Sequence, residues 1–225
     1  MPEILYEDNH LIAVWKRSSD LAQGDKSGDE SLDHQVKKYI AAKYKKPGDV
    51  FLGVVHRLDR PVSGVLLFAR TSKALERLNE MFKSRQVKKI YWAIVKERPP
   101  DDEATVTHYI KKIESQNKSY TYDHEVKGSR EASLSYKVLS RSDRYYLLEI
   151  ELHSGRHHQI RAQLSAIGCP VKGDLKYGYP RSNEDGSISL LARKVVFIHP
   201  VKKEEITITA HLPKGDIWDH FKNVE

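Results

Sequence analysis

Short apolar runs and helical stripes take turns along this chain, and their order already predicts its elements. Residues 10–16 (His10 to Lys16) form an apolar run short enough for one strand. Residues 17–30 carry Ser18, Ser19, Gly24, Ser27 and Gly28 and read as a loop. Ser31 can cap a helix over about 31–45, with Leu32, Val36, Tyr39 and Ile40 on one stripe, and Pro47-Gly48 ends it. A strand at about 50–55 leads into His56-Arg57-Leu58-Asp59-Arg60-Pro61, where Pro61 cannot donate to a sheet ladder. The unbroken apolar run 64–70 reads as a buried strand. Thr71 or Ser72 then caps a helix to about 84, with Leu75, Leu78 and Phe82 toward the core.

Residues 89–95 alternate, placing Tyr91, Ala93 and Val95 on one face and Ile90, Trp92 and Ile94 on the other. Several strands follow between about 104 and 152, with polar turns at Gly128-Ser129 and Ser142-Asp143 and a break at Gly155. A helix over about 157–167 buries Ile160, Leu164 and Ile167 and stops at Gly168, a C′ residue. Residues 180–186 form a loop, and strands near 188–198 and 204–210 close the chain. Strands outnumber helices and neighbours are joined by short turns. The expected class is α+β with a largely antiparallel or mixed sheet and flanking helices. No linker-like stretch divides the chain, so one domain over residues 1–225 is expected.

Charge changes the picture more than composition does. The formal net charge is +7, from 38 basic against 31 acidic side chains, which suits a polyanionic partner such as nucleic acid. Basic pairs recur at Lys37-Lys38, Lys45-Lys46, Lys88-Lys89, Lys111-Lys112, Arg193-Lys194 and Lys202-Lys203. Each alone reads as a solvated surface; only their sum on one face makes a phosphate-binding tract. No stretch approaches the roughly 20 apolar residues of a membrane helix. The opening segment Met1 to Asp8 lacks the pattern of a secretory signal, and a cytoplasmic protein is expected. A single cysteine, Cys169, cannot form an internal disulfide or a Cys-rich zinc site and reads as a small buried residue.

Three segments carry candidate chemistry. In His56-Arg57-Leu58-Asp59-Arg60-Pro61-Val62-Ser63-Gly64, a carboxylate sits between two arginines after a strand. Nearby cations keep a carboxylate ionised, as a nucleophile requires, although the same acid could simply order its arginines. The run differs from a kinase catalytic loop, which needs His-Arg-Asp without the leucine. In Gly155-Arg156-His157-His158-Gln159-Ile160-Arg161, a strand-to-helix junction presents Arg161 about one turn into a helix, on the face of His157. Such an arginine can hold a carboxylate or phosphate bidentately, or sit in a satisfied surface network. His153, His157 and His158 lack the His-Glu-x-x-His spacing of a zinc site, and no metal is expected. In Lys89-Ile90-Tyr91-Trp92-Ala93-Ile94-Val95, Tyr91 can stack on an extruded base or be an ordinary sheet-face tyrosine.

Taken together these segments resemble the RluA-type pseudouridine synthase family. The resemblance is carried by His56-Arg57-Leu58-Asp59-Arg60 with Ser63-Gly64, and by Lys89 and Tyr91. It extends through Gly155-Arg156, His158-Gln159-Ile160-Arg161, Gly168, Pro170, Gly173-Asp174 and Tyr177-Gly178. It runs from about residue 5 to residue 212. Two departures are plain. Trp15-Lys16-Arg17 stands where the family usually has Asn-Lys-Pro. Leu191-Ala192 stands where a His-Ala often precedes the Phe-x-His-Pro seen here at Phe197-Ile198-His199-Pro200.

The resemblance implies the pseudouridine synthase fold with a central active-site cleft, as a stand-alone catalytic domain without an S4 domain. It implies isomerisation of uridine to pseudouridine in ribosomal or transfer RNA, the former preferred, with the target base flipped out. Asp59 would be the essential nucleophile or base. Arg161 would pair with it, Tyr91 would pack on the uracil, and Arg57 would fill the gap left by the base. No cofactor, metal or obligatory protein partner is implied, and a monomer is expected. Two rivals stand beside this reading: a non-catalytic RNA-binding protein of the same fold, and a metal-dependent hydrolase using the histidines.

Overall fold

A computed structural model describes residues 1–24 and 28–224, so the stretch of the expected 17–30 loop that includes Ser27 lies outside the described residues. In chain order the strands and helices are β1 (Glu3–Glu7), β2 (Leu11–Lys16), α1 (Leu32–Lys43), β3 (Gly53–Val54), β4 (Ser63–Ala69), α2 (Ser72–Lys83) and β5 (Lys88–Val95). They continue with β6 (Glu103–Ile113), β7 (Lys118–Tyr122), β8 (Arg130–Arg141), β9 (Tyr146–Leu152), α3 (Gln159–Ala166), β10 (Leu190–Ile198) and β11 (Glu205–Thr209). The chain divides into two compact units. One is Met1–Lys88 with Ala192–His211; the other is Lys89–Leu191 with the stretch from Leu212 onward. Neither unit is one continuous segment, which is why no linker marks a boundary in the sequence.

In the first unit the strand order is β1-β2-β4-β10, with β3 also on β4 and β11 on β10. β2 runs antiparallel to β4 from Leu11↔Ala69 to Lys16↔Gly64. All seven residues of β4 are buried, as its unbroken apolar run predicts. The expected strand at 50–55 shrinks to the pair Gly53↔Ala69 and Val54↔Phe68. Gly53 is pressed against α2: a Cβ there would lie 2.7 Å from a methyl of Leu75. Thr71 caps α2 by accepting the Ala74 N–H at 3.2 Å, worth about 1 kcal/mol. Ser31 holds the N-cap position of α1, but its hydroxyl bonds the Asp33 carboxylate instead of the helix backbone. β1 was not expected from the sequence, because Glu3, Tyr6 and Glu7 blur its apolar signal.

The second unit is an antiparallel sheet in the order β5-β9-β8-β6-β7. Ala132, Leu134 and Tyr136 of β8 and Leu148, Ile150 and Leu152 of β9 are buried at alternate positions. α3 begins at Gln159, two residues later than expected, because His158 takes a left-handed conformation at φ 53°. Gly168 ends it at φ 83°, as the C′ reading required. Six of its eight residues are buried, Arg161 among them, so α3 is a core helix without a polar face. A final turn at Asp216–Phe221 buries Ile217, Trp218 and Phe221, and the sequence pattern had not signalled it. Among the described residues no helix is long and apolar enough to cross a membrane.

Candidate active site

The first motif folds as a tight turn at the mouth of β4. The Val62 N–H donates to the Asp59 carbonyl at 3.0 Å, which reverses the chain just before the strand. Leu58 is buried beneath the turn, Asp59 is half-buried, and Arg57 and Arg60 are exposed on either side. What holds the turn is Lys16. Its ammonium, with none of the residue exposed, donates to the carbonyls of Arg17 at 3.0 Å, Arg60 at 3.0 Å and Val62 at 2.7 Å. Three donors meet three acceptors, and two of those acceptors, the carbonyls of Arg60 and Val62, lie just after Asp59 in the turn. Burial pulls the lysine down to about 8, against the nearby Asp20 and Asp59 carboxylates that favour its charge. Arg60 is tied sideways as well, donating from Nε to the Ser19 carbonyl at 3.1 Å and from Nη2 to Asp29 at 2.8 Å.

His56 has a structural task. β3 leaves β4 after Val54↔Phe68, and the next exposed ladder donor, the Leu67 N–H, is taken by His56 Nε2 at 3.1 Å. An accepting Nε2 fixes the neutral ring with its proton on Nδ1. The ring stacks on Phe82 of α2 at 5.2 Å. Gly64 completes the arrangement at φ 121°, where a Cβ would sit 2.3 Å from the Ala192 carbonyl oxygen of β10. Only glycine allows that approach.

The third motif builds a buried polar cluster in the second unit. Arg161 grips Asp174 bidentately, Nε to Oδ2 at 2.7 Å and Nη2 to Oδ1 at 2.9 Å, with both side chains almost fully buried. Its guanidinium also lies over the Tyr177 ring at 5.0 Å. The Tyr177 hydroxyl accepts from the Ser119 N–H at 2.9 Å and meets His158 Nδ1 at 2.9 Å. Burial first, then the Arg161 charge, hold His158 well below its ordinary value, so the phenol meets a neutral ring. His157 stacks on His158 at 3.7 Å and is held by the Ser119 hydroxyl. Gln159 bonds Ser154, the Arg156 N–H and the Ser133 carbonyl, which locks the loop before α3.

The expected residues therefore divide between the units: Asp59 and Arg57 in the first, Tyr91 on β5 and Arg161 on α3 in the second. Tyr91 is half-buried on a strand whose neighbours Ile90 and Trp92 are buried. The sequence reading did not foresee Lys16 as the pin of the Asp59 turn, or Asp174 as a partner of Arg161. A lysine inside an apolar run and an acid directly after Gly173 were the available signals. The three histidines weighed as metal ligands bond instead to hydroxyls of Ser135, Ser119 and Tyr177. Among the described residues, no group of three or more His, Cys, Asp or Glu is placed to hold a metal ion.

A family model described as RNA pseudouridylate synthase matches residues 10–166. The tRNA pseudouridine synthase C of Haemophilus influenzae is 30% identical, with 99% of this chain and 97% of that protein covered. The ribosomal large subunit pseudouridine synthase C of Rickettsia typhi is 32% identical over 93% of this chain and 68% of its own length. This chain spans 60% of the length of its relative in Pectobacterium carotovorum, also a tRNA pseudouridine synthase C. In three dimensions, human RNA pseudouridylate synthase domain containing 4 superposes with a TM-score of 0.79 at 24% identity, covering 94% of this chain and 89% of that one.

Proposed function

The chain belongs to the RNA pseudouridylate synthase family of isomerases, and on that premise we propose that it converts chosen uridines of structured RNA to pseudouridine, with Asp59 as the reacting carboxylate. The reaction breaks the N1–C1′ glycosidic bond, turns the uracil and joins C5 to C1′, with the C5 proton ending on N1. Atoms balance without a redox partner or an added group. A stacked uridine cannot turn, so the target leaves the helix at a cost of a few kcal/mol, less in a loop. Asp59 serves as nucleophile or base. Arg161 steadies the reacting carboxylate, Tyr91 packs on the uracil, and Arg57 fills the space left by the flipped base. The two compact units act as one catalytic domain in the cytoplasm. The substrate is ribosomal or transfer RNA, and the relatives carry both names.

The observation that supports this most is the Asp59 turn itself. A carboxylate stands half-exposed between two arginines, on a turn fastened by a buried ammonium. Asp59→Asn should abolish pseudouridine formation and leave RNA affinity within a few-fold. Pseudouridine mapping on separate rRNA and tRNA fractions, with wild type and variant, checks both the chemistry and the RNA class. Undiminished turnover in the variant rules out the proposed role.

A further inference from the structure

Beside the Asp59 turn, wholly within the first unit, lies an open depression of about 460 Å³. The segment from Phe51 to Arg57 lines it, together with Gln23 from the loop, Asp33 and Lys37 from α1 and Leu75 from α2. Its size lies within the range of small-ligand sites, roughly 300–1,000 Å³. Phe51 stands at this depression with 48% of its surface exposed, one of the large apolar side chains so placed among the described residues. Arg57 and Lys37 bring two cations against the single carboxylate of Asp33, which already accepts the Ser31 hydroxyl. His56 on the same wall presents a neutral ring, since its Nε2 accepts from Leu67.

An exposed ring beside cations, in a shallow and partly polar recess, is the arrangement by which proteins hold single-stranded nucleic acid. The base stacks on the ring and the backbone phosphate meets the cations. Arg57 and Asp59 are two residues apart, at most about 7.6 Å between Cα atoms. The recess and the reacting carboxylate thus share one short loop, within reach of successive nucleotides of a strand. We propose that this depression is a subsite for an RNA nucleotide flanking the target uridine, with its base on Phe51 and its phosphate at Lys37 and Arg57. The proposal rests on the reading of the chain as an RNA-modifying enzyme.

The test uses the full chain with Phe51→Ala, Phe51→Trp and Lys37→Glu. Their melting temperatures serve as the folding control, and the probes are a five-nucleotide oligouridylate and uridine 5′-monophosphate. Phe51→Ala should weaken oligouridylate binding roughly tenfold, Phe51→Trp should keep it, and Lys37→Glu should weaken it more at low salt than at high. On an RNA that the wild type modifies, the same factor should appear in KM. Unchanged binding and KM in Phe51→Ala and Lys37→Glu overturn the subsite. So does a monophosphate that binds as tightly as the oligonucleotide, which would mark a free-nucleotide site. Pseudouridine formation by the wild type is scored separately. If it occurs while the variants match wild type, only the subsite falls. If it does not occur while Phe51→Ala loses the oligonucleotide, the nucleotide site stands and the catalytic reading falls.

Discussion

Replacing Lys16 with methionine isolates the fastening of the Asp59 turn. The side chain keeps its length and apolar stem and loses the ammonium. Three carbonyls, of Arg17, Arg60 and Val62, lose their donor. Hydrogen bonds from a charged donor contribute about 1.5–3 kcal/mol each, so the gross loss is roughly 5–9 kcal/mol. Against this stands the burial of the charge. A fall from 10.5 to about 8 corresponds to roughly 3 kcal/mol that the folded state no longer bears in the variant. The net destabilisation at pH 7 should be about 2–6 kcal/mol, read from denaturant unfolding.

The pH dependence has a definite sign. The folded-state value lies below the unfolded one, so between pH 8 and 10.5 the unfolded chain holds a proton that the folded chain has released. Wild-type stability relative to Lys16→Met should therefore rise through that window, by at most about 3 kcal/mol. Taking the difference between the two proteins cancels the other titrating groups. A loosened turn should also lower kcat by roughly ten- to a hundredfold with little change in RNA affinity, because small misplacements of a reacting group are costly. A stability loss below about 1 kcal/mol together with undiminished kcat would refute the pinning argument.

Three glycine and acid substitutions probe the rest of the frame. Gly64→Ala should cost about 4 kcal/mol or more or prevent folding, since the new methyl meets the Ala192 carbonyl oxygen, whereas Gly168→Ala, in open space at φ 83°, should cost only about 1 kcal/mol. Equal thermal shifts for the two would contradict the close-approach reading. Asp174→Asn leaves the buried Arg161 charge without its bidentate partner and should lower stability by roughly 3–5 kcal/mol, a Tm drop of about 6–20 °C by calorimetry. A Tm within about 2 °C of wild type would show that the pair does not support the fold.

Much of the fold was legible from unbroken apolar runs and from the polar turns between strands. β4 shows the first signal, and the turns at Gly128-Ser129 and Ser142-Asp143, on either side of β8, the second. The failures have physical causes. β1 is a polar edge strand whose pairing with β2 supplies the order that its composition does not. β3 is cut short because His56 takes over the ladder of β4, and a side chain standing in for a strand leaves no periodic trace. The start of α3 was misplaced because His158 adopts a left-handed conformation that glycine or asparagine usually signals. The two-unit division was illegible because each unit is closed by a segment returning from far along the chain.

The site was legible as motifs, but a motif does not say which of its letters act and which hold. In the first motif the labour divides by position. His56 completes a sheet and Leu58 anchors the turn in the core. Gly64 lets β10 approach, which leaves Arg57, Asp59 and Arg60 as the residues that face outward. In the third motif Gly173 lies so close to Asn183 and Ser187 that a Cβ would meet them at 2.8 Å, and that tight corner sets Asp174 beneath Arg161. Buried charges of this kind are retained where their removal leaves a partner uncompensated. The same logic applies to Lys16, an ammonium inside an apolar strand that donates to three backbone carbonyls. The cost of burying that charge is offset by what it holds still, the carbonyls of Arg60 and Val62 in the turn that follows Asp59.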